Sequence, residues 1–252
     1  MRGHRLVRAA VPGLLFIFPS LGLGGDPIPL DPAPSAASVE SVLSVSNVDR
    51  AMAAFDDVVG PLSHPEALRV ATEAYYTHRE THPDEVRKPY LYFVDFGLDN
   101  SAARGWVLDM DDLSIVEGPF TVAHGRGSST ARNGVPTRFS NVSGSNATSL
   151  GLFVAEGTYG FRGTSGGRAY QSVGLRLRGE SGSFNDAAMA RGIVVHGAPY
   201  VTAADAGRSE GCPAMEMDRA QRLLPELADG GVVFLYSPLA EDWLGEGPWV
   251  AP

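Results

Sequence analysis

The chain carries one cysteine, Cys212, in 252 residues. No internal disulfide can form, which excludes a disulfide-stapled secreted scaffold. Basic residues are the minority, 20 Lys and Arg against 29 Asp and Glu, for a formal charge of −9. Phosphate backbones need a basic stripe, so nucleic acid is not an expected partner. Long apolar runs are also missing. The most apolar stretch, Val11 to Leu23, is shorter than the roughly 20 residues that span a bilayer. His-x-His and His-Glu-x-x-His spacings are absent, and with them the common zinc-hydrolase patterns. Gly163-Thr164-Ser165-Gly166-Gly167 lacks the Gly-Lys-Ser/Thr ending of a phosphate-binding loop. No internal repeat is found.

What is present begins with an export pattern over residues 1–25. Arg2, Arg5 and Arg8 precede the apolar run, and Gly22, Gly24 and Gly25 supply small residues for cleavage. Cleavage there removes three arginines and no acid, bringing the formal charge from −9 to −12. The expected location is the periplasm or cell envelope, with no stable membrane insertion once the signal is removed. Residues 26–38 are rich in Pro, Ala and Ser and read as a linker. Residues 39–88 read as a helical segment packed on the core. Asn47 caps a first helix with Val48, Met52, Phe55 and Val59 on one face. Ser63 caps a second, with Leu68, Ala71, Tyr75 and His78 at helical spacing. His78 and His82 stand at i and i+4, a metal-compatible spacing, but are expected on a solvated face.

From residue 89 to 252 the texture is β-dominated. Expected strands are Tyr90–Phe96, Trp106–Met110, Leu113–Val116, Phe120–Ala123, Leu150–Val154, Ser172–Leu177, Ile193–His196 and Val232–Tyr236. Residues 124–149 are expected to form a long loop, and Asp218–Leu227 a late helix. Trp243 and Trp249 suggest that the tail docks on the domain. The strands do not alternate with helices, so the class is mainly β (α+β) rather than doubly wound.

A cysteine nucleophile needs a base, oxyanion donors and an exposing turn. His196 closes an apolar, β-branched run and is followed by Gly197. Cys212 sits in Ser209-Glu210-Gly211-Cys212-Pro213. Consecutive N–H groups at 209–212, read as the start of the late helix, would stabilise a thiolate or an oxyanion. Gly211 permits close backbone approach, and Pro213 suits a first helical turn. Arg208 would lower the thiol pKa or hold a substrate carboxylate. Asp205 or a backbone carbonyl would orient His196. Read without further context, a hydrogen-bonded histidine and an inert cysteine explain the pair about as well.

These residues resemble the L,D-transpeptidase catalytic domain (YkuD-like) family, whose pattern is His-Gly at a strand end and then Ser/Thr-x-Gly-Cys. The match is nearest to the murein L,D-transpeptidase catalytic domain subgroup. It extends over Val94-Asp95-Phe96, Trp106-Val107-Leu108-Asp109, His124-Gly125-Arg126-Gly127-Ser128, Phe139-Ser140-Asn141, Ser149-Leu150-Gly151 and Gly157-Thr158-Tyr159-Gly160. The resemblance implies a β-sandwich-like catalytic domain with N-terminal helices and one helix after the Cys turn. It implies Cys212 as nucleophile, His196 as base, and Gly211 and Ser209 in the oxyanion turn. Arg208, His124, Gly197, Ser140 and Asn141 would contact substrate. The implied partner is a peptidoglycan stem peptide, and no metal or organic cofactor is implied. The implied reaction releases D-alanine through a thioester and makes a 3→3 cross-link. Water as acceptor would give a carboxypeptidase.

Two positions depart from the wider family: Glu210 replaces a histidine and Ala214 an arginine. His124 is a candidate for the missing histidine, or else a loop histidine without a role. Arg126 and Arg191 are further candidates for holding carboxylates. The competing readings are a metal hydrolase using His124, His196 and Cys212 or Asp205, and a non-catalytic wall-binding module. The oligomeric state is not legible.

Overall fold

The computed structural model describes residues 47–239. The export signal, the linker, the first residues of the helical segment and the tail with Trp243 and Trp249 lie outside the described residues. Among the described residues no helix is long and apolar enough to cross a membrane.

Among the described residues ten strands are formed: β1 (Tyr90–Asp95), β2 (Gly105–Asp109), β3 (Ser114–Phe120), β4 (His124–Gly125), β5 (Gly151–Ser165), β6 (Arg168–Gly179), β7 (Val194–Gly197), β8 (Arg208–Ser209), β9 (Ala214–Met215) and β10 (Val232–Tyr236). Eight of them make one mixed sheet in the order β3-β2-β1-β10-β5-β6-β7-β9, and β4 and β8 pair separately. The helices are α1 (residues 47–55), α2 (Ala67–Thr81) and α3 (Met217–Leu227). The mainly β class follows from the apolar runs.

The central strands β1 and β10 are buried on both faces. On β1, Leu91 and Phe93 join one core while Tyr92 and Val94 join the other. On β10, Val232, Phe234 and Tyr236 alternate in the same way with Val233 and Leu235. Successive side chains point to opposite faces, so two buried faces require an uninterrupted apolar run. One core is closed by Ala220, Leu223, Leu224 and Leu227 of α3. The other is closed by Val48, Met52, Phe55 and Val59 with Leu68, Ala71 and Tyr75 of α2.

Two local readings change. Ser63 does not cap α2, whose first residue follows Glu66 without a side-chain cap. Its N–H and hydroxyl both donate to the buried Asp95 carboxylate, at 2.7 and 2.6 Å, which ties the helical segment to the end of β1. His78 is fully buried rather than solvated, with Nε2 3.0 Å from Glu85 and its ring stacked on His82 at 4.5 Å. The chain after α2 folds back and brings Glu85 to the Nε2 edge of the ring. Arg178 of β6 then binds Glu85 at 2.9 Å, Glu156 at 3.0 Å and also Glu180. His78, Glu85 and Glu180 are the one group of potential metal ligands among the described residues. The Arg178 guanidinium already satisfies both of its carboxylates.

The largest departure is β5–β6. The expected strands Leu150–Val154 and Ser172–Leu177 are only the inner ends of a hairpin running from Gly151 to Gly179. Its tip is Gly166-Gly167, with φ of 55° and 74°. Positive φ at both central residues is the two-residue turn that matches strand twist. Along the outer hairpin, half-buried Tyr159, Phe161, Tyr170 and Ser172 alternate with exposed Gly160, Arg162 and Gln171.

Candidate active site

The site lies where β7, β9 and the outer hairpin meet. β7 pairs with β6 on one side, His196 opposite Gly174, and with β9 on the other, His196 opposite Ala214. The His196 N–H donates to the Pro213 carbonyl at 3.4 Å, one residue beyond Cys212. The Cys212 sulfur sits against the start of β7. It accepts from the Val194 N–H, and its thiol points to the Gly192 carbonyl at 3.8 Å. Val194 and His196 share a face, two residues or about 6.6 Å apart along the strand. The Cys212 sulfur therefore meets the β7 backbone two residues before His196.

The turn is stitched by Ser209. Its hydroxyl donates to the Cys212 carbonyl at 2.5 Å and accepts from the Gly211 N–H at 3.1 Å. The N–H of Gly211 is thus already used. Gly211 has φ +129°, and a Cβ there would meet Ala147 O at 3.2 Å and Ile193 Cδ1 at 3.3 Å. Both conformation and space demand glycine. Gly197 is required for packing, since a Cβ would strike Ser172 Oγ, Ala220 and Met217. The expected helix start at the cysteine is not formed. Pro213 leads into β9, and α3 begins only at Met217. The Pro213 carbonyl and the β9 backbone are taken by β7 and Ala123, which holds this segment extended.

His196 is 3% exposed, and its Nδ1 lies 3.1 Å from the Gly197 carbonyl oxygen. A carbonyl only accepts, so Nδ1 carries the hydrogen and Nε2 is left with a free lone pair. Asp205 is engaged elsewhere, with Asn100 Nδ2 at 3.4 Å and the Gly207 N–H at 3.1 Å. Burial pushes His196 down from 6.5 to about 4, against the Gly197 bond. Cys212 moves the other way. Burial raises it, while the Val194 N–H and the Arg191 charge lower it and Glu210 raises it. Near neutral pH the pair therefore rests as thiol and neutral imidazole.

Glu210 points outward and pairs with Arg126 at 2.8 Å, not with Arg208. Both side chains are more than half exposed, at 68% and 57%. Arg208 donates to the Ser129 carbonyl at 3.0 Å. Arg191 is a clamp on the long loop. It reaches Ser140 O at 2.7 Å, Ala147 O at 2.9 Å and Ser145 Oγ at 3.2 Å, and also Ser149 Oγ. Ser140 thus serves the clamp through its carbonyl. Asn141 Nδ2 binds Ser183 O and Asp186 at 3.1 and 2.6 Å. Both hold the loop to residues 183–191.

His124 is fully buried beside β8, opposite Arg208. Its Nδ1 lies 2.9 Å from Nη2 of Arg104, also fully buried. A guanidinium only donates, so Nδ1 accepts and Nε2 carries the hydrogen. Burial first, then the charges of Arg104 and Arg208, lower its pKa to about 3. Arg104 also donates to Val122 O and Leu98 O and stands over the Phe96 ring at 4.8 Å. The His124 ring is thus built into the interior. Among the described residues, His124, His196, Cys212 and Asp205 do not converge as metal ligands.

Sequence reading missed the aromatic wall. Tyr159, Tyr170 and Tyr200 all lie within electrostatic reach of Cys212, and Tyr200 hydrogen-bonds Tyr170. Phe161 stacks on His196 at 4.0 Å. The available signal was the alternation of aromatic and small residues on either side of Gly166-Gly167.

The chain belongs to the L,D-transpeptidase catalytic domain family, whose sequence profile matches residues 61–236. Among solved structures it is similar to an L,D-transpeptidase from Mycobacterium smegmatis, with 16% identity, TM-score 0.33, and 59% of this chain and 58% of that one covered. The enzyme from Xylanimonas cellulosilytica gives 16%, 0.33, 59% and 61%. That from Stackebrandtia nassauensis gives 14%, 0.35, 77% and 92%. The chain thus spans 58% and 61% of the first two structures' lengths. No curated protein matches it.

Proposed function

We propose that the protein is an L,D-transpeptidase that acts on peptidoglycan stem tetrapeptides through a thioester on Cys212. The observation that carries this reading is the placement of Cys212 against β7, two residues along from a histidine whose free lone pair is fixed at Nε2. His196 Nε2 takes the thiol proton as the sulfur attacks the carbonyl of the third-position diamino acid. The pair starts neutral, so the proton moves with attack. The N–H of Cys212, which finds no acceptor among the described residues, donates to the developing oxyanion. Imidazolium returns the proton to the departing nitrogen, the C–N bond to D-alanine breaks, and a thioester remains. The side-chain amine of a second stem attacks that thioester and loses its proton to His196. The C–S bond then breaks, restoring the thiol and completing a 3→3 cross-link. Water in place of the amine would give a carboxypeptidase.

Ser209 and Gly211 shape the turn. Arg208, Arg191 and exposed Arg126 supply positive charge toward the carboxylates of the stem. Gly197 lets α3 close on β7, while His124, Ser140 and Asn141 act by holding the walls. Residues 1–25 export the chain to the periplasm or cell envelope, residues 26–38 serve as a linker, and residues 39–88 pack on the catalytic domain 89–252. The chemistry requires no cofactor.

The test is a product analysis. The purified protein is incubated with tetrapeptide muropeptides, with and without an acceptor amine, beside Cys212→Ala. Cross-linked dimers or released D-alanine that disappear in the variant support the reading. Sacculus binding without any product, unchanged in the variant, would favour a wall-binding module.

A further inference from the structure

The Gly197 carbonyl constrains His196 at one point only. A single hydrogen bond at Nδ1 leaves the ring free to tilt about that bond. The second constraint comes from Phe161 on the outer half of β5. Its ring lies parallel to the imidazole, with centroids 4.0 Å apart and planes 11° apart. Phe161 is itself held from both sides: Tyr159 packs edge-on at 6.3 Å and Tyr170 at 6.1 Å. Arg176 lies over Tyr159 at 4.3 Å and continues the stack. The half-buried, inward side of the outer hairpin thus ends on the imidazole face.

We propose that Phe161 is the positioning residue for the base. Stacked on the imidazole, it fixes the plane of His196, so that hydrogen bond and stack together aim Nε2, and it keeps water off one ring face. This rests on His196 acting as the base. Phe161 makes no bond to reacting atoms and acts through the histidine.

The titratable side chains on the same wall are Cys212 of the turn, Tyr159 of β5, Tyr170 of β6 and Tyr200 after β7. Burial raises all four, so they stay neutral near pH 7. The nearest charge in the stack, Arg176, reaches His196 only through Tyr159 and Phe161. Dehydration by the stacked ring is thus separable from its flatness by choice of replacement.

Three replacements in the full chain separate the roles. Phe161→Leu keeps an apolar cover but removes the flat face. Phe161→Ala removes both. Phe161→Tyr keeps both and serves as rescue. Two quantities are read: kcat and KM on a stem tetrapeptide, and the NMR titration and ring-current displacement of the His196 ring protons. Phe161→Leu is expected to lose kcat by about ten- to a hundredfold with KM within about threefold, because misaimed reacting groups cost rate rather than binding. Its His196 midpoint stays low. Phe161→Ala loses kcat as well, and its midpoint rises by about one unit as water returns. Phe161→Tyr remains within about threefold of wild type in kcat.

Wild-type kcat in the Leu variant, or an equal loss in the Leu and Tyr variants, overturns the proposal. If His196→Gln is as active as wild type, the base reading has failed instead. The clamp is then judged by NMR alone. An undisplaced His196 ring in the wild type, or a displacement that persists in Phe161→Leu, overturns it.

Discussion

The Gly197 carbonyl oxygen lies 3.1 Å from Nδ1 of His196, the residue that precedes it. Through that contact the backbone chooses the tautomer, with no carboxylate in the role. Burial holds the ring neutral, with a pKa lowered to about 4. Replacing His196 by Gln should retain the fold and lower turnover by roughly 10²- to 10⁴-fold, the usual worth of a general base. Unfolding curves run beside the kinetics check that the loss is chemical.

Buried neutral histidines also set a pH dependence of stability. His124 and His196 are lowered to about 3 and about 4 from 6.5. The unfolded chain takes up protons near 6.5 that the native state refuses, so stability falls as pH drops from about 6.5 toward 4. Each histidine contributes a slope of up to about 1.4 kcal/mol per pH unit. Urea midpoints at pH 7, 6 and 5 measure it, and His124→Gln should flatten the slope. A midpoint independent of pH across this window contradicts the burial of both rings.

His124→Ala should cost stability first. It removes a buried ring and leaves Nη2 of the buried Arg104 one acceptor short. The expected loss is about 2–4 kcal/mol, from a cavity plus an unpaired donor. Activity lost only in proportion to folded protein would confirm a supporting role. Activity lost from a protein of unchanged stability would point to direct contact with substrate.

Much of the sheet could be read in advance because β1 and β10 are buried on two faces and leave unbroken apolar runs. The His196-Gly197 and Ser209 to Cys212 segments were legible as motifs. The outer hairpin was not. Only one of its faces is covered, and its glycines at 157, 160, 163, 166, 167 and 174 resemble loop composition. Phe161 and Tyr170 were therefore never placed near His196. Ser63 and His78 misled for another reason. Their partners, Asp95 and Glu85, are distant in sequence or beyond the helix end, and no local pattern announces them.

Asp95 accepts from Ser63 twice and from the Gly97 N–H at 2.9 Å. Asp95→Ala should destabilise the protein by about 2–4 kcal/mol, since hydrogen bonds to a charged group are lost and partly buried donors left unpaired. Limited proteolysis should then cut first near residues 56–66. Ser63→Ala should show a smaller effect in the same direction.

Glu210→Gln tests the acid two residues before Cys212. Glu210 raises the thiol pKa, as the last of four causes, and it is exposed and paired with Arg126. Solvent and Arg126 screen it, so the thiol pKa should fall only slightly. The rate of alkylation against pH reads the shift directly. A large drop would mean that Glu210 faces the sulfur.

The proposed reaction passes through a thioester on Cys212. The measurement that tests it most directly is intact-protein mass spectrometry after brief mixing with a stem tetrapeptide and no acceptor amine. The expected result is an adduct equal in mass to the donor less D-alanine, carried on Cys212, absent from Cys212→Ala and discharged when an acceptor is added. Product formed by folded protein without any adduct, or formed equally by Cys212→Ala, would contradict it.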